Sequence, residues 1–285
     1  MMELDIDHLL RQALDHVLGD PTTATPLHLA ESIRYSLLAP GKRIRPRLLI
    51  SCADMLELDQ RVAIPAALSL EMVHCFTLIH DDLPCMDNDD FRRGRPSNHK
   101  QFGEPIALLA GDALVAIAVE VFSKAEEYLP PKCFVRALRR LIWAMGPKGV
   151  IGGQAAEMLL DENSSIEALE RMQEQKTGAL FLASLLIPVD FANIGDKDTR
   201  RAVIATFGNE LGLAFQIADD LADAEQDKGK PISILFHMTA TEARNMMLQR
   251  LSAASQALAS SFGTKAQPLL EISAQVERLL EAAHT

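Results

Sequence analysis

Two clusters of aspartates end otherwise apolar segments, and their residue type and spacing suit the binding of divalent cations. The clusters are Asp81, Asp82 and Asp87 in the first half of the chain, and Asp219, Asp220 and Asp223 in the second. A carboxylate without a partner loses several kcal/mol when it leaves water, so acids embedded in an apolar helix must be paired, hydrogen-bonded or metal-bound. We therefore expect the two clusters to face each other across a cavity and to hold metal ions between them.

The donor set favours Mg²⁺, with Mn²⁺ as the alternative. All the donors are oxygens and no pair of Cys or His lies nearby, which argues against zinc. Because Mg²⁺ usually shares its shell with phosphate oxygens, the pattern indicates a phosphate-bearing substrate. The competing interpretation of either cluster alone is a solvated helix end, and the repetition of the same layout argues against it.

Helical spacing and local basic residues add candidates for binding phosphate. At about 3.6 residues per turn, Gln216 shares a stripe with the second cluster and His74 shares one with Asp81. Gly208 and Gly212 continue the stripe of Gln216 and would leave room for the body of a ligand. A lone histidine is more often an interior residue than a ligand, but this one lies on the face of the aspartates.

Several cations stand beside these acids in a chain whose net charge is -11. They are Lys42 and Arg45 in a basic loop, Arg92 and Arg93 after the first cluster, Lys176 with the hydroxyl of Thr177, and Lys230 after the second cluster. Each could be an ordinary solvated or neutralising charge, or it could contact a diphosphate. Gly178 within a helical segment predicts a bend or a close contact there, which would turn Lys176 and Thr177 toward the site.

The composition favours one all-α domain of helices packed as a bundle. Hydrophobic residues make up 48% of the 285 residues and aromatic residues only 5%, and no linker interrupts the chain. The acidic balance disfavours nucleic acid as a partner. Four cysteines without CxxC pairing are typical of reduced thiols in a cytoplasmic protein, and we expect no apolar run long enough to span a bilayer.

Apolar periodicity and turn signals predict where the helices lie. They are expected at residues 4–17, 27–38, 47–57, 62–82, 104–128, 131–145, 152–161, 164–186, 198–224, 239–260 and 265–283. Capping boxes are predicted for Ser164 with Glu167 and for Thr239 with Glu242. Pro84 should end the helix of the first cluster and let the chain fold back, bringing Asp87 toward Asp81.

Several short motifs together resemble the trans-isoprenyl diphosphate synthases. The motifs are residues 41–46 (GKRIRP), 81–87 (DDLPCMD) with 92–94 (RRG), 153–154 (GQ), 176–178 (KTG), 215–216 (FQ) and 219–223 (DDLAD). They fall in the order of that family and extend over residues from about 40 to 235. The resemblance implies an all-α bundle around a deep cavity, assembled as a homodimer. It also implies head-to-tail joining of isopentenyl diphosphate to an allylic diphosphate.

The resemblance also implies a role for each candidate residue. The six aspartates would hold Mg²⁺ against the allylic diphosphate. Isopentenyl diphosphate would be bound by Lys42, Arg45, His74 and Arg93. The allylic side would be completed by Arg92, Lys176, Thr177, Gln216 and Lys230.

Product length should depend on Phe76. This residue precedes Asp81 by five positions, roughly 7.5 Å along a helix at about 1.5 Å per residue. An aromatic ring there resembles the bacterial farnesyl type, as do two extra residues within the first acidic motif, Asp81 to Asp87. This resemblance predicts a fifteen-carbon product. Phe76 could instead be plain core packing, and a twenty-carbon, geranylgeranyl product is the alternative.

The chain departs from the family pattern in three places. Pro40 stands where the family has Gly, Glu157 stands where Asp is common, and the segment between Asp223 and Lys230 is short and lacks one of the family's lysines. Two other functions remain open. A class I terpene cyclase would not need the residues for isopentenyl diphosphate, and a non-catalytic partner subunit would typically have lost some of the aspartates.

Overall fold

The computed structural model describes residues 4–19, 25–222, 224 and 232–282, and within them it confirms the all-α fold class. The helices are α1 (Ile6–Leu18), α2 (Leu27–Leu37), α3 (Ile44–Met55), α4 (Gln60–Asp81), α5 (Asn98–Phe102), α6 (Glu104–Ser123), α7 (Pro131–Met145), α8 (Val150–Glu157), α9 (Ile166–Gln173), α10 (Ala179–Phe191), α11 (Thr199–Ala222), α12 (Ala240–Phe262) and α13 (Gln267–Ala282). Between α9 and α10 the segment Glu174–Gly178 is a π-helix, called the π turn below. One small antiparallel ribbon, absent from the prediction, pairs β1 (Phe91–Arg92) with β2 (Arg95–Pro96).

The helices divide into two compact units. Unit 1 comprises Met1–Arg47 and Gln60–Leu129, and unit 2 comprises Leu48–Asp59 and Pro130–Thr285. The first acidic cluster belongs to unit 1, and the second belongs to unit 2.

Helix α4 is the core of unit 1, where it packs against α6. Most of its residues are buried, including Leu70, Met72 and Val73, which are fully enclosed. A helix that is apolar on nearly every side must be covered on nearly every side, and this makes α4 a rigid support for the aspartates at its C-terminal end.

A clamp on α2 holds the ribbon of unit 1 in place. The buried amide of Asn98 donates hydrogen bonds to the Ser32 carbonyl (3.0 Å) and to Ser36 Oγ (2.8 Å). The Tyr35 hydroxyl donates to the Pro96 carbonyl at 2.8 Å, and the Arg95 guanidinium lies 3.9 Å from the centre of the Tyr35 ring. The ribbon that carries Arg92 and Arg93 is therefore fixed at its base.

In unit 2, α10 is buried along almost its whole length and carries one acid, Asp190, that is fully enclosed. Three guanidinium groups surround this carboxylate. Arg201 Nη1 donates to its Oδ1 at 2.8 Å, Arg140 Nε donates to its Oδ2 at 2.5 Å, and Arg136 Nε forms an ion pair with Oδ1 at 2.9 Å. The network joins α7, α10 and α11 through charge-assisted hydrogen bonds.

The helix ends show where tertiary contacts override local signals. The Thr239 and Glu242 capping box is confirmed. The box predicted for Ser164 and Glu167 is wrong, because Ser165 is the N-cap and accepts from the Ala168 N–H. Ser164 instead donates its hydroxyl to Asp161 Oδ1 at 3.0 Å.

Within the described residues, two segments are long and apolar enough, by length and composition alone, to cross a membrane, which corrects the expectation that no apolar run is that long. They are α4 and residues Glu104–Tyr128. The apolar stretch of α4 is 78% buried inside the protein, which accounts for its composition as a core helix. The stretch in Glu104–Tyr128 is only 44% buried.

Candidate active site

The first acidic cluster forms where α4 ends. The chain turns back after Pro84, and the Asp87 N–H donates to the Asp81 carbonyl at 2.8 Å. Asn88 takes a left-handed conformation with φ of 55° and donates its N–H to the Leu83 carbonyl at 3.1 Å. The predicted return of the chain toward Asp81 is therefore confirmed.

Asp82 is the buried member of this cluster. Its carboxylate is 2% exposed and accepts from Arg92 Nε at 2.9 Å and from Arg92 Nη2 at 2.5 Å. Burial raises the pKa of Asp82 above its ordinary value, although Arg92 opposes the shift. A single half-exposed arginine, which Asp82 shares with Asp89, thus leaves the ionised carboxylate in an unfavourable setting that a further cation would improve.

The basic loop and the ribbon meet around Gly41. A Cβ at this position would lie 2.9 Å from Arg93 Nη1, so a larger residue would displace the Arg93 guanidinium from its present position against the loop backbone. Arg93 takes a left-handed conformation with φ of 53°, and its Nη1 lies 3.4 Å from the Ala39 carbonyl that accepts from it. Lys42 is exposed beside this contact, and Arg45 is half-buried.

The residue that anchors the basic loop is Arg43, which the sequence did not single out. Its guanidinium is 6% exposed and donates to Glu71 Oε1 at 2.6 Å and to Asp7 Oδ1 at 2.8 Å. It also donates to the carbonyls of Leu37 and Ala39, at 3.0 and 2.8 Å. The buried pair with Glu71 therefore holds against α4 the loop that carries Lys42, and with it the first turn of α3, which carries Arg45.

His74 lies one turn after Glu71 on α4 and is surrounded by positive charge. Burial is the largest cause that lowers the pKa of His74 well below 6.5. The arginines act in the same direction, and they are Arg45, Arg93, Arg43 and Arg92 in order of effect. The imidazole is therefore neutral near pH 7 and is suited to hydrogen bonding rather than to charge pairing.

In unit 2 the second cluster is organised around Asp220, which is 5% exposed. Its Oδ1 accepts from Gln216 Nε2 at 2.9 Å, and its Oδ2 accepts from the Ile234 N–H at 2.8 Å. Gln216 Oε1 accepts in turn from the Thr177 hydroxyl at 2.7 Å. The predicted grouping of Thr177, Gln216 and Asp220 is thus observed, and Asp219 is half-buried beside it.

The π turn presents Lys176 and Thr177. A Cβ at Gly153 of α8 would lie 2.2 Å from the Lys176 backbone N, so glycine is required for α8 to approach the turn. Lys176 Nζ forms an ion pair with Glu157 at the end of α8. Glu157, which stands where Asp is common in the family, therefore contacts Lys176 directly. The predicted bend at Gly178 is confirmed as a π-helix, a rare element that is frequent at functional sites.

Three expectations about the second cluster change or stay open. Gly208 and Gly212 do not leave room for a ligand, because an added Cβ would lie 3.0 Å from Leu185 Cδ1 at the first and 3.2 Å from Gly178 Cα at the second. Both glycines instead let α11 pack closely on α10 and the π turn. Asp223 and Lys230 lie outside the described residues, and the facing of the two clusters stays a prediction.

Within the described part of the chain, no group of three or more His, Cys, Asp or Glu side chains is arranged to hold a metal ion unaided. The donors nevertheless fit Mg²⁺, because this ion takes one or two carboxylates and completes its shell with phosphate oxygens and water. Asp81, Asp82, Asp219 and Asp220 offer oxygens only, which argues against zinc.

Comparison with known proteins decides the family. The sequence profile described as polyprenyl synthetase matches residues 26–265. The chain belongs to the polyprenyl synthetase family. It is 42% identical over 243 residues to the farnesyl diphosphate synthase of Geobacillus stearothermophilus, with 81% of each chain covered.

Two further relatives extend this finding. The chain is 40% identical over 218 residues to geranylgeranyl pyrophosphate synthase 7, chloroplastic, of Arabidopsis thaliana, a match over 75% of this chain and 61% of that one. The crystal structure of a geranyltransferase from Legionella pneumophila aligns with a TM-score of 0.87 and 30% identity, over 98% of this chain and 96% of the other. These matches confirm the isoprenoid synthase fold and the enzyme class, which is a short-chain trans-prenyltransferase.

Some residues of this polyprenyl synthetase site escaped sequence reasoning. Glu71 and its partner Arg43 are not among the predicted site residues, because Arg43 lies within a basic run and Glu71 lies in no recognised motif. Gln173 Nε2 and Ser233 Oγ lie 3.4 and 3.3 Å from Asp220 Oδ2, and neither lies in a recognised motif. The sequence signal for Arg43 is its position between Lys42 and Arg45. If those two side chains bind substrate, the side chain of Arg43 is expected to point away from both.

Proposed function

We propose that this prenyltransferase joins isopentenyl diphosphate head-to-tail to an allylic diphosphate and releases inorganic diphosphate. The observation that carries the proposal is the grouping of acids and arginines in unit 1, where buried Asp82 pairs with Arg92 and neutral His74 lies among four arginines. Excess positive charge beside a carboxylate cluster suits two diphosphates, one bound by cations and the other through metal ions.

The reaction begins with cleavage of the allylic C–O bond, in which the diphosphate leaves with the bonding electrons and a carbocation remains. Arg92 and Lys176 lower the cost of the charge that develops on the leaving group. Thr177 and Gln216 are positioned to hydrogen-bond, and the Glu157 pair keeps Lys176 in place. The apolar side chains of α4 offer the hydrocarbon an environment without water.

The new carbon–carbon bond forms when the double bond of isopentenyl diphosphate attacks the allylic carbon. Lys42, Arg45, His74 and Arg93 would hold the diphosphate of this second substrate in reach. Loss of one proton from the condensed carbocation restores a double bond, and the departing diphosphate is a suitable acceptor for it. Charge and atoms then balance, with one elongated allylic diphosphate and one protonated diphosphate as products.

Mg²⁺ would be held by Asp81, Asp82 and Asp87 on one side of the allylic diphosphate, and by Asp219, Asp220 and Asp223 on the other. When bound, the ions neutralise the negative charge that builds on the leaving diphosphate. The raised pKa of Asp82 supports this role, because a carboxylate that burial disfavours gains from a bound cation.

We propose farnesyl diphosphate as the product, because Phe76 is a buried aromatic residue on α4, five positions before Asp81, where its ring would limit the depth available to the growing chain. Phe76 lies one turn before His80. The two rings meet edge to face with centroids 5.9 Å apart, which holds the Phe76 ring in a defined position. Geranylgeranyl diphosphate is the second candidate, since the Arabidopsis relative carries that name.

Purified protein incubated with Mg²⁺, isopentenyl diphosphate and each allylic starter in turn tests the reaction. We expect an elongated prenyl diphosphate and release of inorganic diphosphate. Cyclic or linear hydrocarbons formed without isopentenyl diphosphate would indicate a terpene cyclase instead. Product formed only after a second synthase is added would indicate a partner subunit.

Replacing Phe76 tests the chain-length proposal. Phe76→Ala should shift the main product to twenty carbons or more, because the ring no longer limits the depth available to the chain. Phe76→Tyr, which keeps the ring, is the matched control and should keep the wild-type product. The same chain length from Phe76→Ala and the wild type would remove Phe76 from this role.

We further propose that the protein is a homodimer that uses the outer face of α6. Leu108 and Leu109 on this face are 47% and 51% exposed, although the helix is strongly apolar. A second copy of the chain would cover this surface. Sedimentation of Leu109→Glu should show a monomer if the proposal holds, whereas an unchanged dimer would place the interface elsewhere.

The location and domain organisation complete the proposal. All four cysteines are free thiols, three of them buried and Cys85 exposed, which suits a reducing cytoplasm. The family profile runs through both units from residue 26 to residue 265, which favours a single domain. Fractionation of cells would test the first point, and one cooperative unfolding transition would support the second.

A further inference from the structure

Unit 2 contains a cavity of about 380 Å³ that the proposed reaction does not use. Its walls come from the π turn, from α10 and α11, from the ends of α7 and α9, and from the middle of α12. Ala179, Leu182 and Leu213 make the floor apolar, and Trp143 forms a planar wall at the rim. The volume falls within the range of small-molecule sites, which is roughly 300–1,000 Å³.

Cations outnumber acids among the described residues that line the cavity, although the protein as a whole is acidic. Among the described residues that line it, Lys148, Arg171 and Arg250 are cationic and Glu174 alone is acidic. In that part of the chain, neither Lys148 nor Arg171 donates a side-chain hydrogen bond. Glu210 holds the Arg250 guanidinium in a fixed orientation through hydrogen bonds of 2.7 and 3.0 Å. Glu170 also lies within electrostatic range of Arg250, and Glu167 lies within that of Arg171, so the cationic character of the cavity depends on Lys148 and Arg171 above an apolar floor.

The cavity and the candidate active site use opposite sides of the same π turn. Glu174, Gln175 and Gly178 line the cavity, whereas Lys176 and Thr177 carry the contacts to Glu157 and Gln216. Gly153 packs on Lys176 and Gly212 packs on Gly178, so the cavity adjoins a part of the turn that these contacts do not cover. A ligand in the cavity would contact the turn itself and would therefore act on Lys176 and Thr177 before it acts on other site residues.

A second connection runs through Gln173. This side chain is 3% exposed, lines the cavity, and donates to Asp220 Oδ2 at 3.4 Å. Its Oε1 is buried and has no hydrogen-bond partner in the described structure. A buried amide oxygen without a donor costs free energy, so a water molecule held in the cavity that donates to it would stabilise this arrangement.

We propose that this cavity is an effector site for a small anionic compound that carries a compact apolar or planar group, such as an aryl or alkyl phosphate. The phosphate would bind Lys148 and Arg171 at the rim, and the apolar part would lie on Leu182 and Leu213 beside Trp143. The binding stands on the cavity alone, whereas its effect on turnover rests on the proposed function.

Trp143 is the only tryptophan in the chain, so intrinsic fluorescence reports on the cavity directly. Phenyl phosphate is the probe, and phenol is its neutral counterpart. We expect a saturable change in Trp143 fluorescence with phenyl phosphate and none with phenol at the same concentration. In the double variant Lys148→Gln, Arg171→Gln the apparent Kd should rise about tenfold or more, because charge-assisted contacts are lost.

The active-site variant Arg92→Gln is the matched control and should keep the fluorescence response, which shows that the probe does not report from the diphosphate site. An absent response would overturn the site. A response of equal affinity in the wild type and the double variant would overturn it too.

Kinetics test the coupling through the π turn. Saturating phenyl phosphate should change kcat/KM for the allylic diphosphate in the wild type, and the double variant should be insensitive to it. Binding without any kinetic change would overturn the coupling. An enzyme that is inactive with every substrate but keeps the Trp143 response would defeat the proposed function and leave the binding site standing.

Discussion

Asp82 in unit 1 and Asp190 in unit 2 are both buried acids, at 2% and 0% exposure, but their surroundings differ. Asp190 forms ion pairs with three arginines on two helices, and its carboxylate is enclosed by positive charge. Asp82 accepts from Arg92, whose side chain is 37% exposed and also contacts Asp89. Burial is therefore compensated at Asp190, whereas at Asp82 it outweighs the arginine and raises the pKa.

The difference separates a carboxylate that stabilises the scaffold from one that is kept ready for a cation. A buried charge with a full set of partners ties elements together, and removing it leaves the partners uncompensated. A buried charge with too few partners costs stability, and such a cost is typical of a functional site. Substitution of Asp190 should consequently lower the free energy of unfolding, whereas substitution of Asp82 should lower kcat.

The largest expected effect is the loss of stability in Asp190→Asn. Three guanidinium groups would lose their counter-charge, and the free energy of unfolding should fall by about 3–5 kcal/mol. Urea unfolding measures the loss, while kcat per folded molecule should stay near that of the wild type. The control is Asp196→Asn, because exposed Asp196 contacts Arg136 and Arg201 and should cost less than about 1 kcal/mol. Equal losses from the two variants would contradict the scaffold role.

Asp82→Asn should show the reverse pattern. We expect kcat to fall by about 10²–10³, because a group that stabilises charge in the transition state is lost. Stability at pH 7 should be kept or increased, since burial disfavours the ionised carboxylate that Asn replaces. Asp89→Asn is the control, because this exposed residue contacts the same Arg92. A large loss of stability with normal turnover would place Asp82 in the class of Asp190.

Glu71→Gln asks whether the environment or the unit decides the class, because Glu71 lies in unit 1 but its partner Arg43 is a buried arginine, with a side chain only 6% exposed. The free energy of unfolding should fall by about 1.5–3 kcal/mol, the usual value of a hydrogen bond to a charged group. Because Arg43 anchors the loop that carries Lys42, KM for isopentenyl diphosphate should rise more than kcat falls. Asp7→Asn removes the exposed partner of Arg43 and should cost about 0–1 kcal/mol. If the KM of Glu71→Gln is no higher than that of Asp7→Asn, the position of the loop does not affect substrate binding.

Most of the helical framework could be predicted because its signals are local. Helix α7 runs from Pro131 to Met145 as predicted, since a proline suited to its first position and a glycine beyond its end mark both boundaries. Ser164 and Ser165 are neighbours of the same type, and no local rule chooses between them as N-cap. The hydrogen bond from Ser164 to Asp161 decides the matter.

The candidate site was predictable where a motif carried it and not where distant contacts built it. Thr177, Gln216 and Asp220 were recognised from short motifs, and the structure joins them by hydrogen bonds. Arg43 was not recognised, because its burial depends on Glu71, which lies 28 positions away. In the sequence, only Gly178 indicates the π turn, because the conformation of this turn depends on contacts with other helices.

The smallest effect should come from His74, which is the basic counterpart of Asp82 because burial and neighbouring arginines disfavour its charged form. Its pKa is well below 6.5 in the folded protein, so below about pH 6.5 the unfolded chain binds a proton that the folded chain does not. Wild-type stability should therefore decline as the pH falls from about 6.5 toward the folded pKa, by at most about 1.4 kcal/mol per pH unit from this group. His74→Gln should remove that part of the slope in unfolding experiments from pH 7.5 to 5. His28→Gln changes a side chain that is 81% exposed and should keep the wild-type slope. Identical slopes for His74→Gln and the wild type would mean that His74 can take up a proton in the folded site. The effect of burial on the charged form of Asp82 would then not apply to a buried base.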